Sequence, residues 1–397
     1  MRPVGVLIIC NSPDNGGGAN LLFRVTRYLD QRRVRPTLFL HKDGWQAEQQ
    51  RAHGYADVVI DPDLMELDPV PSPTLSNLGP VAWALESTAR RSARAVLHVK
   101  RLARERGISV IAGFGAAPAA LATLAGTLAG KPVIWSAQRC YDDRLTYLPM
   151  QAFCLAPVVR RIFAVSRAAA VPYGHVPSKL EIAYNGVDPG DVDPAKLTGT
   201  LRARHGIPPD VPLVGMGGRV IALKGVDLFL RAAGRLAARH PSARFVVIGR
   251  REGDAFDASL DRIVREENIE DRVIFTGWVD DIRTEMLDLD VVAIASRRDA
   301  APLVAYEAMA LGRAIVATDC PGLDEQMEEG VSGLYVPRED VESLAAAIDR
   351  VLTDDGLRRS LGANARKAVC ERFDIHKMVG RVEDTIVRLA AEAEPDG

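Results

Sequence analysis

The chain has 397 residues, too many for one ordinary core and right for two domains of ~150–200 residues each. Hydrophobic residues at 47% and charged residues at 26% sit at the globular average, which excludes a disordered, collagenous or repeat-biased chain. Lys plus Arg (50) balances Asp plus Glu (52), so the net charge of -2 gives no general pull toward nucleic acid or an anionic membrane, and any phosphate binding must be local.

Short apolar runs alternate with helical-period stretches, the pattern of parallel sheets covered by helices. The first run, Val4–Cys10, meets Pro13 and Asp14 without a small-residue cleavage site, so a buried strand is predicted and not a signal peptide. Thr37–Leu40, Asp57–Ile60, Ile108–Gly113, Val133–Ser136, Ile162–Val165 and Leu180–Tyr184 follow as strands. The stretch from Ile108 to Gly130 lacks charge and is long enough to span a bilayer, but it is Ala-rich with Pro118 and four glycines. A strand and a buried helix are expected there. Asn185 to Pro194 is rich in turn residues and is placed as the linker. Strands resume at Leu213–Gly217, Phe245–Gly249, Val273–Thr276, Val291–Ala295, Ala314–Thr318 and Gly333–Val336. After Phe373 a helical stretch with apolar Met378, Val379, Val382, Ile386 and Leu389 is expected to pack back on a domain.

The predicted organisation is two doubly wound, Rossmann-like α/β domains, residues 1–190 and 191–373, with a terminal helical stretch over 374–397. Their sheets are expected to face one interdomain cleft, where such sheets bind ligands. Cys10, Cys140, Cys154, Cys320 and Cys370 show no C-x-x-C spacing, so neither a disulfide framework nor a zinc knuckle is implied. A cytoplasmic location is the simplest reading.

Three loops carry the chemistry. Gly16-Gly17-Gly18-Ala19 follows the first strand, where glycines let backbone N–H groups approach an anion at a helix start. A tight turn explains it equally well. Neither a dinucleotide fingerprint nor a P-loop is met. In the second loop, Gly217 to Asp227, Arg219 offers a fork of donors and Lys224 a compact cation, a pair suited to a diphosphate. The third, Ser296 to Met309, places Pro302 at a helix start, so that Leu303, Val304 and Ala305 are expected to present unpaired N–H groups, with Glu307 one turn inside and Asp299 before it.

Together, GGGA at 16–19, YNGVD at 184–188, GGRVIALKGVD at 217–227, VIG at 247–249, FTGWVDD at 275–281 and D-x7-E closing in YEAMALG at 306–312 resemble the retaining GT-B glycosyltransferases of family 4. The resemblance spans nearly the whole chain and is strongest from Asn185 to Phe373. It implies a GT-B fold and transfer of a sugar from a nucleotide-diphosphate sugar. By that likeness Arg219 and Lys224 bind the diphosphate, Glu307 holds the ribose hydroxyls, and Asp299, Ala300 and Ala301 contact the transferred sugar. Gly17 and Gly18 close over the phosphates, and Gly218, Val279, Leu303 and Val304 complete the donor set. Three departures stand out. Asp299 is one methylene shorter than the usual Glu, Gln138 replaces a frequent His, and Arg250-Arg251-Glu252-Gly253 replaces a glycine-rich stretch, with solvent favoured as the destination of the two arginines.

A neutral amide does no acid or base work at ordinary pH, so Arg219, Lys224, Asp299 and Gln138 are expected to act by holding the donor and stabilising the leaving diphosphate. This resembles the family's front-face, retaining displacement, with no metal or cofactor required. A metal-dependent reading would rest on Asp61-Pro62-Asp63, but Asp191-x-Asp193 and Asp288-x-Asp290 show how readily that pattern arises. Asp281 resembles an acid that accepts guanine's donors, which favours a GDP-sugar slightly over a UDP-sugar. For the acceptor, a small molecule is preferred and a lipid-linked one is second. Trp83 to Arg106 carries seven Arg or Lys against two Glu, which suits either a solvated helix or peripheral membrane contact. A nucleotide-sugar-binding protein that has lost transfer is the reading from another class.

Overall fold

The computed structural model describes residues 2–12, 14, 16–63, 78–141 and 144–393. Seven parallel strands form the first sheet: β1 (Val4–Cys10), β2 (Val34–Leu40), β3 (Asp57–Ile60), β4 (Ile108–Phe114), β5 (Val133–Ala137), β6 (Val159–Ala164) and β7 (Leu180–Ile182). Their spatial order is β3-β2-β1-β4-β5-β6-β7. Six more form the second sheet: β8 (Leu213–Gly217), β9 (Arg244–Ile248), β10 (Val273–Gly277), β11 (Val291–Ile294), β12 (Ala314–Thr318) and β13 (Leu334–Val336), in the order β10-β9-β8-β11-β12-β13. Every expected strand is present, with ends shifted by up to three residues. The doubly wound α/β fold of both halves follows.

These residues make strands because both faces are covered by helices, so apolar side chains are wanted at every position instead of every second one. Val6, Leu7, Ile8, Ile9 and Cys10 are all buried in β1, and Val291, Val292, Ala293 and Ile294 in β11. Each sheet reverses its winding once, between β1 and β4 in the first and between β8 and β11 in the second. The uncharged stretch from Ile108 is β4 followed by the helix Ala116–Ala129. Among the described residues no helix is long and apolar enough to cross a membrane.

The chain divides into two units, Met1–Tyr184 with His376–Gly397, and Asn185–Ile375. The turn-rich segment from Asn185 is anchored in the second unit, not loose: Val187 and Val192 are buried, and Val187 bridges to Asp374. Arg366 ties this segment further, donating to the carbonyls of Val192 at 3.2 Å and of Ala310. The last helix, Ile375–Ala393, buries Met378, Val379, Ile386 and Leu389. Residues 394–397 of the predicted terminal stretch lie outside the described residues, as do the side chains at 83–89 of the basic stretch.

Glu383 is the polar anchor of that last helix. The residue is 6% exposed; its carboxylate accepts the backbone N–H of Asp30 and meets Arg33 Nη1 at 3.3 Å. Glu383→Ala strips the acceptor from a part-buried N–H and a partner from Arg33, and is expected to lower unfolding stability by about 1–3 kcal/mol. Urea titration of the parent and variant measures the loss.

Candidate active site

The second sheet brings its chemistry to its winding reversal, where no crossover helix covers the C-terminal strand ends. β8 ends at Gly217 and runs into Gly218 and Arg219, while β11 runs into Ser296 and Asp299. Lys224, 75 residues before Asp299, pairs with it, Nζ against Oδ2. Gly225 makes this possible. Its φ of +68° is left-handed, and any side chain there would run into the Ala295 carbonyl at the end of β11.

Arg297 fixes the same loop. Its guanidinium donates to both carboxylate oxygens of Asp227 at 2.7 and 2.8 Å, to Glu339 Oε1 at 2.6 Å and to the Ala222 carbonyl at 2.6 Å. Its backbone N–H adds a bond to the Leu223 carbonyl at 2.9 Å. The 3-10 turn Ala222–Lys224 is thereby fastened to the end of β11. Arg219, by contrast, is exposed and forms no ion pair among the described residues.

The sugar-side loop is held from two sides. Asn185 donates Nδ2 to the Ala301 carbonyl at 3.1 Å, and Gly322, at φ +94°, lies where a side chain would strike the Ala300 carbonyl. Cys320 sits beneath Asp299. Burial, reinforced by that carboxylate, pushes its thiol up to about 12.

Pro302 is the cap residue and the helix Leu303–Ala310 begins one position later than the sequence suggests. Leu303 and Val304 have no intrahelical acceptor for their N–H groups. Ala305 differs from expectation, because its N–H is already given to the Pro302 carbonyl at 3.1 Å. Glu307 is 5% exposed, and its charge acts on Arg283. Val304 and Ile282 both lie against Gly217, so the starts of their two helices meet at the end of β8.

Asp281 is placed differently from its predicted use. It caps the helix Ile282–Met286 through the Arg283 N–H at 3.0 Å, and Arg283 takes its two oxygens by a fork at 2.7 Å each. The Asp281 side chain is still 34% exposed. Val279 is half-buried in the same loop. Arg251 is not turned loose to solvent: it pairs with Asp261 at 2.8 Å and stacks on the Phe275 ring at 4.7 Å, whereas Arg250 is exposed.

In the first unit Gly17 and Gly18 form the opening turn of the helix Gly17–Tyr28. A side-chain atom on Gly18 would lie 3.4 Å from Gln138 Oε1, so this glycine turn and Gln138 share the C-terminal edge of the sheet. Gln138 Nε2 donates to Ser136 Oγ at 3.1 Å. Of the Asp-Pro-Asp pair, Asp61 is occupied by His98 Nδ1 at 2.6 Å and by the Asp63 N–H at 2.8 Å.

Sequence reasoning missed Arg297, Asn185 and Cys320 as supports of the site. Only the Asp of Lys-Gly-Val-Asp carried a signal, since a carboxylate three residues after a functional lysine needs a cation of its own.

Comparison with known proteins agrees with this architecture. The model described as Glycosyltransferase Family 4 matches residues 15–191, and that described as Glycosyl transferases group 1 matches 198–368. The lipopolysaccharide core biosynthesis mannosyltransferase LpcC of Rhizobium leguminosarum is 31% identical over 264 residues, 62% of this chain and 75% of LpcC. The D-inositol 3-phosphate glycosyltransferase of Stackebrandtia nassauensis is 34% identical over 200 residues, 48% of this chain and 44% of that protein. The crystal structure of Anabaena HepE in complex with UDP has the same fold at TM-score 0.78, with 20% identity over 98% of this chain and 100% of that one. A two-unit α/β protein of this design is of the GT-B class, and the chain belongs to the group 1, family 4 glycosyltransferases. It spans about half the length of most of the curated relatives it matches.

Two outcomes follow from the site's construction. Arg297→Met is expected to speed amide hydrogen exchange at Leu223 to Gly225 by about tenfold or more, because the turn loses its fastening. Under native conditions at about pH 8, maleimide is expected to spare Cys320 while it labels the partly exposed Cys370, since the thiolate is the nucleophile. Mass spectrometry of the labelled peptides reads both sites.

Proposed function

We propose that the chain is a retaining glycosyltransferase that moves a sugar from a nucleotide-diphosphate sugar to a small-molecule acceptor without a metal. The observation that carries this reading is the meeting of Lys224 and Asp299 at the winding reversal of the second sheet, beside the uncapped start of the helix at Leu303. Arg219 and Lys224 neutralise the diphosphate, and the N–H groups of Gly218, Leu303 and Val304 receive its oxygens. Glu307 takes the ribose hydroxyls; Asp299, Ala300 and Ala301 take those of the sugar. Gly17, Gly18 and Gln138 act from the first unit by contact and hydrogen bonding, not by proton transfer.

In this mechanism the bond between the anomeric carbon and the diphosphate oxygen breaks, and the acceptor oxygen bonds to that carbon on the same face. The acceptor's proton passes to the leaving phosphate oxygen, so no protein base is consumed. Since a diphosphate competes with Asp299 for the Lys224 ammonium, donor binding exchanges one anion for another at a cation already in place.

The slight preference for guanine rests on Asp281, whose carboxylate is shared with Arg283, and Val279 in the same loop belongs to the donor set. UDP and GDP are therefore compared directly. The names of relatives cover both acceptor classes, an inositol phosphate for one and a lipopolysaccharide core for LpcC, so a lipid-linked envelope acceptor is the second reading.

Thermal unfolding with UDP, GDP, ADP, dTDP and CDP tests donor binding, since a ligand of the native state raises the midpoint by mass action. One nucleotide is expected to raise it, with the shift abolished in Lys224→Ala and reduced in Glu307→Gln. Equal shifts in parent and variants would remove these residues from the donor site. Slow donor hydrolysis is expected with EDTA present, with the anomeric configuration retained in the released sugar. Nucleotide binding with no hydrolysis or transfer would identify a binding protein that has lost catalysis.

A further inference from the structure

Glu339 follows β13, and its φ of +63° is left-handed, a conformation shared only by Asn268 among the described residues other than glycine. Asparagine tolerates that region through its short polar side chain and glycine through having none, but a glutamate has neither advantage. The backbone is fixed on both sides of it. The Arg338 N–H donates to Asp319 Oδ1 at 3.1 Å, and Asp340 caps the helix Val341–Thr353 through the Ser343 N–H at 2.9 Å. A long side chain is kept where the backbone favours none, which points to a use for it.

That side chain is the second grip on Arg297. Asp227 takes one edge of the guanidinium, through Nη1 and Nη2, and Glu339 takes the other, with Oε1 on Nε at 2.6 Å and Oε2 on Nη2 at 3.1 Å. The two grips differ in what they are fastened to. Asp227 lies three residues after Lys224, in the segment that Arg297 has to hold, so that pair alone would shift along with the turn. Glu339 belongs to the scaffold instead, because the helix that Asp340 caps buries Leu344, Ala345, Ile348 and Val351 in the core of the second sheet.

We infer that Glu339 is a positioning residue for the donor site: through Arg297 it fixes the turn Ala222–Lys224, and so sets where the Lys224 ammonium meets a nucleotide diphosphate. Stability is given up in its left-handed backbone to make that link. The inference rests on the donor reading of Lys224.

Glu339→Gly, Glu339→Gln and the combination of Glu339→Gly with Arg297→Met test it in the full chain. Glu339→Gly removes the side chain and the backbone clash together, so its unliganded unfolding midpoint is expected to equal or exceed the parent's. Amide exchange at Leu223 to Gly225 is nevertheless expected to quicken about threefold or more. In calorimetric titrations with UDP and GDP, the nucleotide that the parent binds is expected to bind this variant about threefold more weakly or worse. Glu339→Gln keeps the clash and loses the charge, so binding is expected to weaken with no rise in midpoint. Added to Arg297→Met, Glu339→Gly is expected to change neither exchange nor affinity further, since its effect passes through that arginine. Parental exchange and affinity in Glu339→Gly would overturn the inference and leave only a structural ion pair, as would a full further loss in the combined variant. No nucleotide binding by the parent would defeat the donor reading, while exchange at the turn still reads whether Glu339 fixes it, so the two failures are told apart.

Discussion

A parallel sheet can close its crossovers on both faces only if the winding reverses once, and at that reversal two neighbouring strand ends are left uncovered. This constraint governs where chemistry sits in both units. In the second, it exposes the ends of β8 and β11 side by side, so residues 75 apart in sequence, Lys224 and Asp299, become partners. In the first, it leaves the glycine turn after β1 on the same sheet edge as Gln138, which follows β5.

The uncovered edge would be of little use if its loops wandered. Arg297 answers this with five acceptor oxygens on three residues, in a setting about three-quarters removed from solvent. Hydrogen bonds of this charged, bidentate kind are about twice as strong as neutral ones, and several converge on one turn. Their product is rigidity in the three residues before Gly225. A lysine carrying one charge at its tip gains most from such a base, since four rotatable bonds otherwise dilute its position.

Strands were legible because buried parallel strands are continuous apolar runs, and the order of loops with phosphate-binding character followed from them. Helix starts were less so. Gly17 and Gly18 read as loop because glycine weakens a helix, yet the first turn tolerates them at little loss since its N–H groups have no intrahelical partner anyway. Side-chain pairing was the least legible part. Arg251, Arg283 and Arg297 resemble Arg219 in sequence, all cations shortly after strand ends, but three of them pair with carboxylates while Arg219 is exposed and forms no ion pair among the described residues. Which cation is spare depends on what lies opposite in three dimensions, and for Arg297 the partners Asp227 and Glu339 come from different helices' approaches, 70 and 42 positions away.

Strain near the site points the same way. Asn185 is 4% exposed, and while its amide nitrogen holds the Ala301 carbonyl, its Oδ1 has no partner among the described residues. An acceptor left so costs about 1–3 kcal/mol, a sizeable part of the stability of a domain this size. An apolar residue of similar shape would avoid that cost but would release the carbonyl, and with it the backbone of the loop from Asp299 to Ala301. Gly322 acts in the same sense from the opposite side, trading chain entropy for an approach to Ala300 that no other residue permits. The two points act on one three-residue stretch, Asn185 at Ala301 and Gly322 at Asp299 and Ala300. Folding alone does not ask for that arrangement; holding the backbone of Ala300 and Ala301 in one fixed orientation does.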